Sequence, residues 1–334
     1  MGAAERSNIA LPAQIAPAAL ERGDPARIIT TLRGVGLGTA WCVRTATRPL
    51  AFPSRLQDAI ERRLAGIVRQ MSQWEPGSDL SRFNRAPAGA WATLPEDFAT
   101  VVEVALDVAA RSGGAFDPTH GRISALLGFG AAPAADAPSP AALDEAWTRG
   151  GWRRLEFDRA HRRLRQPGGL WLDLSGIAKG FAVDAVGEVL RAHGVDDVLV
   201  EIGGELLGRG LKPDLQPWWV DVEDPPGCAA PRLRIALHEM AVATSGDYVR
   251  GAHTLDPRTG RPLGPSVASV TVLHGHAMLA DAWATALLVE ASRASPLPGK
   301  GLAERENLAA RLVLRTADSF EERLSPALSA MLVD

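Results

Sequence analysis

LDLSGIAKGFAVDAVGEVLRAHGVDDVLVEI, residues 172–202, decides the architecture. Residues 171–175 read as a strand, Ser175-Gly176 as a tight turn, and the following apolar-periodic run as a helix that stops at Gly194. A strand over 197–202 returns, followed by Gly203-Gly204, which either lets a ligand approach the backbone or makes a bulge. Elsewhere this rhythm does not repeat. Residues 40–46, 218–222, 233–237 and 267–273 read as strands, and 154–166 as a hairpin. Helices are expected from Ser54, where Ser54 and Gln57 form a capping box, over 95–112 ahead of Gly113-Gly114, and over 276–290. Leu56, Ile60, Leu64, Ile67 and Met71 define the buried face of the first. Hairpin-joined strands with interspersed helices predict an α+β fold, with mixed or antiparallel sheets and packed helices.

The 334 residues suffice for one large domain or two modest ones, and the 46% apolar content is ordinary for a globular chain. A weakly ordered arm is expected over 1–27, with a single domain over 28–334 that includes a C-terminal extension from about residue 296. Residues 131–141, rich in Ala and Pro, read as a surface excursion. The formal charge of −3 argues against a general nucleic-acid or membrane-surface binder. Cys42 and Cys228 are the two cysteines, with no CxxC or zinc spacing. No run of about 18 apolar residues suggests a membrane span. Without an export signal or a lipid-anchor cysteine, the expected location is the cytoplasm, or the periplasm if the start codon is misassigned.

Four constellations can carry chemistry. In LDLSGIAKG a strand delivers Asp173 and a helix opens with Lys179 in its first turn. Free N–H groups at a helix start together with an ammonium suit a phosphate, although the same turn also serves as plain capping with Lys179 in solvent. In HAMLADAWATALLVE, Asp281 and Thr285 lie four apart on one face of an otherwise apolar helix. A carboxylate there needs a partner, either a hard cation such as Mg²⁺ or a buried ion pair. In ATSGDY and HTLDPRTG, His253 is a general-base candidate within what is otherwise ordinary turn chemistry. In GAFDPTHG, Asp117-Pro118 turns beside His120, which is read as solvent-exposed. Trp74 stands in a polar loop, 74–79, where an aromatic can stack on a flat ring.

In this order, GLGTAW, MSQWEPGSDLSRFNR, GGAFDPTHG, LDLSGIAKGFAVD, VEIGGEL, VATSGDY, HTLDPRTGRP, VASVTV and AMLADAWATAL resemble the FAD:protein FMN transferases, the ApbE-type flavin transferases, over roughly residues 34–330. The resemblance implies the ApbE-like flavin transferase fold, with FAD as substrate in an elongated cleft. It implies that Leu37 and Trp74 face the flavin, and that Asn84 is a polar contact. Ala115, Phe116 and Asp117 would meet the adenine end, and Asp173, Lys179 and Leu255 would contact FAD elsewhere. Mg²⁺ would be held by the Gly176 carbonyl with Asp281 and Thr285, and His253, with Asp281 or Asp247 nearby, would act as base. The implied reaction moves FMN from FAD onto a Thr or Ser hydroxyl of a target flavoprotein and releases AMP. The same residues also fit a Mg²⁺-dependent FAD pyrophosphatase giving FMN and AMP, or a non-catalytic flavin-binding protein. This chain departs from the family pattern at Leu37, Trp74 and Glu201, and in the short stretch between Tyr248 and His253.

Overall fold

Eight strands form the central sheet of the computed structural model, which describes residues 7–49, 53–130, 137–248, 251, 253–293 and 301–333. Their order is Phe320–Leu324, Ala309–Arg315, Val267–His274, Met240–Gly246, Glu205–Arg209, Val198–Ile202, Thr39–Thr47 and Ile28–Gly36. Every neighbouring pair is antiparallel. A four-stranded sheet, Leu332–Val333, Ser7–Ala10, Arg232–Leu237 and Trp218–Asp221, lies on one face; the pairing of its second and third strands, Ser7–Ala10 with Arg232–Leu237, is parallel. The fold is α+β with mixed and antiparallel sheets, as the hairpin-rich pattern predicts.

Successive side chains on a strand point to opposite faces. This period sorts the central strands between two cores. Trp41, Val43, Val200, Ile202, Ala241, Ala243, Val270 and Val272 face the helical side. Ala46, Leu199, Val242 and Leu273 face the small sheet, where they meet Trp218, Leu233, Ile235 and Leu237. The helices Pro53–Met71, Glu96–Arg111, Ala178–Ala192 and Ala277–Ala291 close the larger core. Leu56, Ile60, Leu64, Ile67 and Met71 are buried at the expected spacing. The helix Ala277–Ala291 buries residues on every side, Asp281 among them, so it is a core helix without a solvent face.

Several boundaries differ from the expectation. Ser54 sits inside the helix that opens at Pro53, so it is no N-cap; Gln57 instead donates to Glu61 at 3.0 Å, and the residues before Pro53 lie outside the described set. Residues 171–175 make only an isolated bridge, Trp171 to His120; the Leu172 and Asp173 N–H groups donate to the Asn84 side chain and the Pro118 carbonyl and not to a neighbouring strand. In the polar loop, Ser78 caps a helix, Asp79–Arg85, by accepting from the Ser81 N–H at 2.9 Å. Of the Ala/Pro stretch, residues 131–136 lie outside the described residues, and Pro140 and Ala141 open the helix Pro140–Arg149 behind the N-cap Ser139. The expected N-terminal arm carries a strand, Ser7–Ala10, docked on the small sheet, and a short helix, Pro17–Glu21. The expected C-terminal extension is part of the domain: Ala309–Arg315 pairs with Val267–His274 in the central sheet. Cys42 and Cys228 are free thiols. Among the described residues, no helix is long and apolar enough to cross a membrane.

Candidate active site

A cleft of about 440 Å³ opens at one edge of the helical layer. It is lined by Trp74, Ala115, Phe116, Asp117, Asp173, Gly176, Lys179, His253, Leu255, Asp281 and Thr285, which are far apart in sequence and were each expected at a site. Two expected residues do not line it. Leu37 occupies the tight turn between Ile28–Gly36 and Thr39–Thr47 at φ +51°, and packs on the main core. Asn84 is buried and spends its amide on Leu172, donating to its carbonyl at 3.0 Å and accepting from its N–H at 2.8 Å. Asn84 therefore anchors the segment that carries Asp173 and Gly176 and makes no polar contact in the cleft.

Gly113 and Gly114, at φ +64° and +82°, end the helix Glu96–Arg111 and turn the chain into Ala115-Phe116. Asp117 organises this loop. Its Oδ1 accepts from the Thr119 N–H and hydroxyl, and its Oδ2 from the Trp152 N–H at 3.0 Å. His120, expected in solvent, is buried with Nε2 3.6 Å from Asp117, because Gly150 packs directly on its ring. Asp173 accepts from the Ser175 N–H at 2.9 Å, while Gln73 donates to the Ser175 hydroxyl at 3.0 Å. Trp74, 53% exposed, stands at the mouth.

The floor of the cleft is charged. Lys179 forms an ion pair with Glu205, which is 2% exposed and leaves Oε2 without a hydrogen-bond partner. Burial first, and then the charge of Asp281, push the Glu205 carboxyl up to about 7, against the pull of Lys179. Burial also raises Asp281, opposed by Lys179 and by the Gly180 N–H, which donates to Asp281 Oδ2 at 3.0 Å. The positive pole of the helix Ala178–Ala192 is thus partly used internally. Ala178 N donates to Leu174 and Gly180 N to Asp281, so the anion-attracting role expected of free N–H groups falls mainly to the Lys179 ammonium.

Thr285 Oγ1 lies 3.2 Å from Ser245 Oγ, and a Cβ placed on Gly176 would come within 2.8 Å of Thr285 Oγ1. Gly176, Asp281 and Thr285 all line the cleft, and a backbone carbonyl, a carboxylate and a hydroxyl are hard oxygen donors of the kind that could hold Mg²⁺ when substrate phosphates complete the shell. Among the described residues no three His, Cys, Asp or Glu side chains converge. His253 Nδ1 lies 2.8 Å from the Gly251 carbonyl. A carbonyl can only accept, so Nδ1 is the donor in this contact, and in the neutral imidazole Nε2 is then the nitrogen that accepts. Asp247 is not at hand as a second base: Arg315 binds its two oxygens at 2.6 and 2.9 Å.

Glu205 and Asp184 were not singled out from the sequence. The signal for Glu205 is the turn before it. Ile202 pairs with Glu205 across Gly203-Gly204, at φ +62° and +103°, which is a two-residue hairpin loop that sends the next side chain to the cleft.

Residues 37–311 match the ApbE family. The chain is 33% identical over 312 residues to the FAD:protein FMN transferase of Vibrio cholerae serotype O1, covering 90% of this chain and 92% of that one. It is 30% identical over 315 residues to that of Salmonella typhimurium, covering 90% and 89%. Its structure is similar to the apo form of the Pseudomonas stutzeri flavinyl transferase ApbE, with a TM-score of 0.83 and 34% identity over 91% of this chain and 97% of that one. The Vibrio cholerae flavin transferase ApbE gives 0.83 and 33% over 92% and 100%.

Proposed function

This chain belongs to the ApbE family, and from that membership we propose that it is an FAD:protein FMN transferase, moving FMN from FAD to a Thr or Ser hydroxyl of a target flavoprotein and releasing AMP. The observation that carries the reading is the convergence in one cleft of Lys179, the oxygen-bearing residues Gly176, Asp281 and Thr285, and His253, whose Nδ1 is taken by the Gly251 carbonyl.

FAD lies along the cleft, with Trp74 against the isoalloxazine and Ala115 and Phe116 at the adenine end. Asp117 acts by holding that loop in shape. Asp173 and Leu255 contact FAD elsewhere along the cleft. Lys179 draws the pyrophosphate to the floor. Mg²⁺, held by Asp281, Thr285 and the Gly176 carbonyl, would neutralise charge on the pyrophosphate and the leaving AMP. The target hydroxyl attacks the phosphorus on the FMN side. Its proton passes to His253 Nε2, a new phosphoester bond forms, and the bond to the AMP oxygen breaks, leaving AMP with the electron pair.

The test is intact-mass analysis of a target domain after incubation with the chain, FAD and Mg²⁺. An FMN-sized adduct on the target is expected. Free FMN and AMP without an adduct would mean hydrolysis, and unchanged FAD co-eluting with the chain would mean storage; either result overturns the transferase reading.

A further inference from the structure

Two helices of the active site cap one another. Where Ala178–Ala192 crosses Ala277–Ala291, Gly180 meets the backbone of Ala277 so closely that a Cβ would overlap the carbonyl. Across this contact Asp184 Oδ1 accepts from the Ala277 N–H and Oδ2 from the Met278 N–H, both at 2.9 Å. In return, Asp281 Oδ2 accepts from the Gly180 N–H at 3.0 Å. Asp281 lies about one turn and Asp184 nearly two turns into its own helix, and each carboxylate satisfies the first turn of the other. The helix Ala277–Ala291 has no cap of its own, because His276, its N-cap, makes no side-chain bond to it. Burial pushes the Asp184 carboxyl up, and the two N–H groups pull it back toward the charged form. Asp184 does not line the cleft and has no part in the chemistry above.

We propose that Asp184 is a positioning residue for the cation site: it fixes the axial position and rotation of the helix Ala277–Ala291 and so aims Asp281 and Thr285. The reasoning is geometric. Asp281 follows the captured Ala277 N–H by one turn and Thr285 by two, so a slide or a roll at the captured end carries directly to both oxygens. The return bond commits Asp281 Oδ2 to Gly180 and fixes which way its second oxygen points. Groups that orient ligands in this way commonly change metal affinity when removed. The inference rests on Asp281 and Thr285 being cation ligands, and the experiment separates the two.

Mn²⁺ binding to the full chain is measured by loss of the free-ion EPR signal, with ADP supplying a pyrophosphate and a protein-free ADP sample subtracted. Asp281→Ala is expected to lose the protein-dependent binding. Asp184→Ala is expected to weaken it about tenfold, and Asp184→Asn, which keeps one acceptor, by less. At saturating Mn²⁺ both Asp184 variants should recover kcat with KM for FAD unchanged. Thermal unfolding in EDTA reports folding separately, and Asp184→Asn decides the matter if the alanine variant does not fold. An Asp184→Asn variant with a lowered Tm but wild-type Mn²⁺ affinity overturns the inference, since that is what a purely structural cap gives. Wild-type binding by Asp281→Ala overturns the ligand assignment itself.

Discussion

Asp281 has two duties, and a substitution can separate them. Its charge serves the proposed cation, while Oδ2 holds the Gly180 N–H. Asp281→Asn keeps an acceptor for Gly180 and removes the charge. It should fold with a near-wild-type Tm yet lose transfer at least about a hundredfold, since a Lewis acid contributes several kcal/mol to charge stabilisation. Turnover at the wild-type rate, measured by AMP release, would sink the assignment. Glu205 supplies a pH signature. Its carboxyl is raised from the ordinary 4.5 to about 7, so its contribution to stability is complete below 4.5 and is lost as pH rises through about 7. The Tm of the metal-free wild type should therefore fall, relative to Glu205→Gln, as pH rises across that window. Parallel pH profiles for the two proteins would rule out the raised carboxyl. Of the site, residues with an unusual setting were legible: Asp281 on an apolar helix, Lys179 after a Ser-Gly turn, Trp74 in a polar loop. Glu205 was not, because its burial and its pairing with Lys179 arise only when the hairpin folds over the helix start. Leu37 and Asn84 carried family positions, but their side chains are used in packing and in holding Leu172.

Among the elements, the crossing of Ala178–Ala192 over Ala277–Ala291 has the least tolerance. A methyl at Gly180 has no room, because what it meets is the Ala277 backbone and not a side chain that can swing aside. Gly180→Ala should destabilise the chain by about 1–3 kcal/mol in urea unfolding, as overpacked sites do, and should depress turnover as the helices separate. Stability within about 0.5 kcal/mol of wild type would show that the contact gives easily. Long helices were read correctly because 3.6-residue periodicity persists over several turns, as in Leu56 through Met71. The strand Ile28–Gly36 escaped notice for a physical reason. It is a sheet edge whose Ile28, Ile29 and Val35 are exposed and whose Leu32 alone is buried, so no clean alternation survives. Residues 171–175 looked like a strand because Leu172 and Leu174 alternate with polar neighbours. Those leucines do face the core, but the segment is held by Asn84 and by Pro118, whose carbonyl accepts from the Asp173 N–H, and not by a ladder.

At the scale of the whole molecule, the cleft depends on segments that no local reading joins. The helix bearing Asp281 packs on Val267–His274, a strand buried along nearly its whole length. That strand is shielded on one side by Ala309–Arg315, from the region expected to be an extension. Arg311 ties the arrangement together, donating to Glu322 at 2.5 Å and to Asp224 at 2.6 Å from a fully buried position. Leu332–Val333 completes the small sheet beside Ser7–Ala10. A chain ending at residue 293 would lose all of this at once. It would leave Asp224 without its buried arginine and expose Val267–His274 as a long apolar edge, the kind of strand that templates aggregation. Such a truncated chain is expected to be insoluble or to lack a cooperative thermal transition, and to bind no FAD. Size-exclusion chromatography and near-UV circular dichroism check this. A monomeric fragment that unfolds cooperatively and quenches FAD fluorescence as the full chain does would restore the C-terminal region to the status of an appendage. The expected failure would instead place it among the elements that build the active site, because the sheet strand on which the Asp281 helix rests is stable only when covered on both sides.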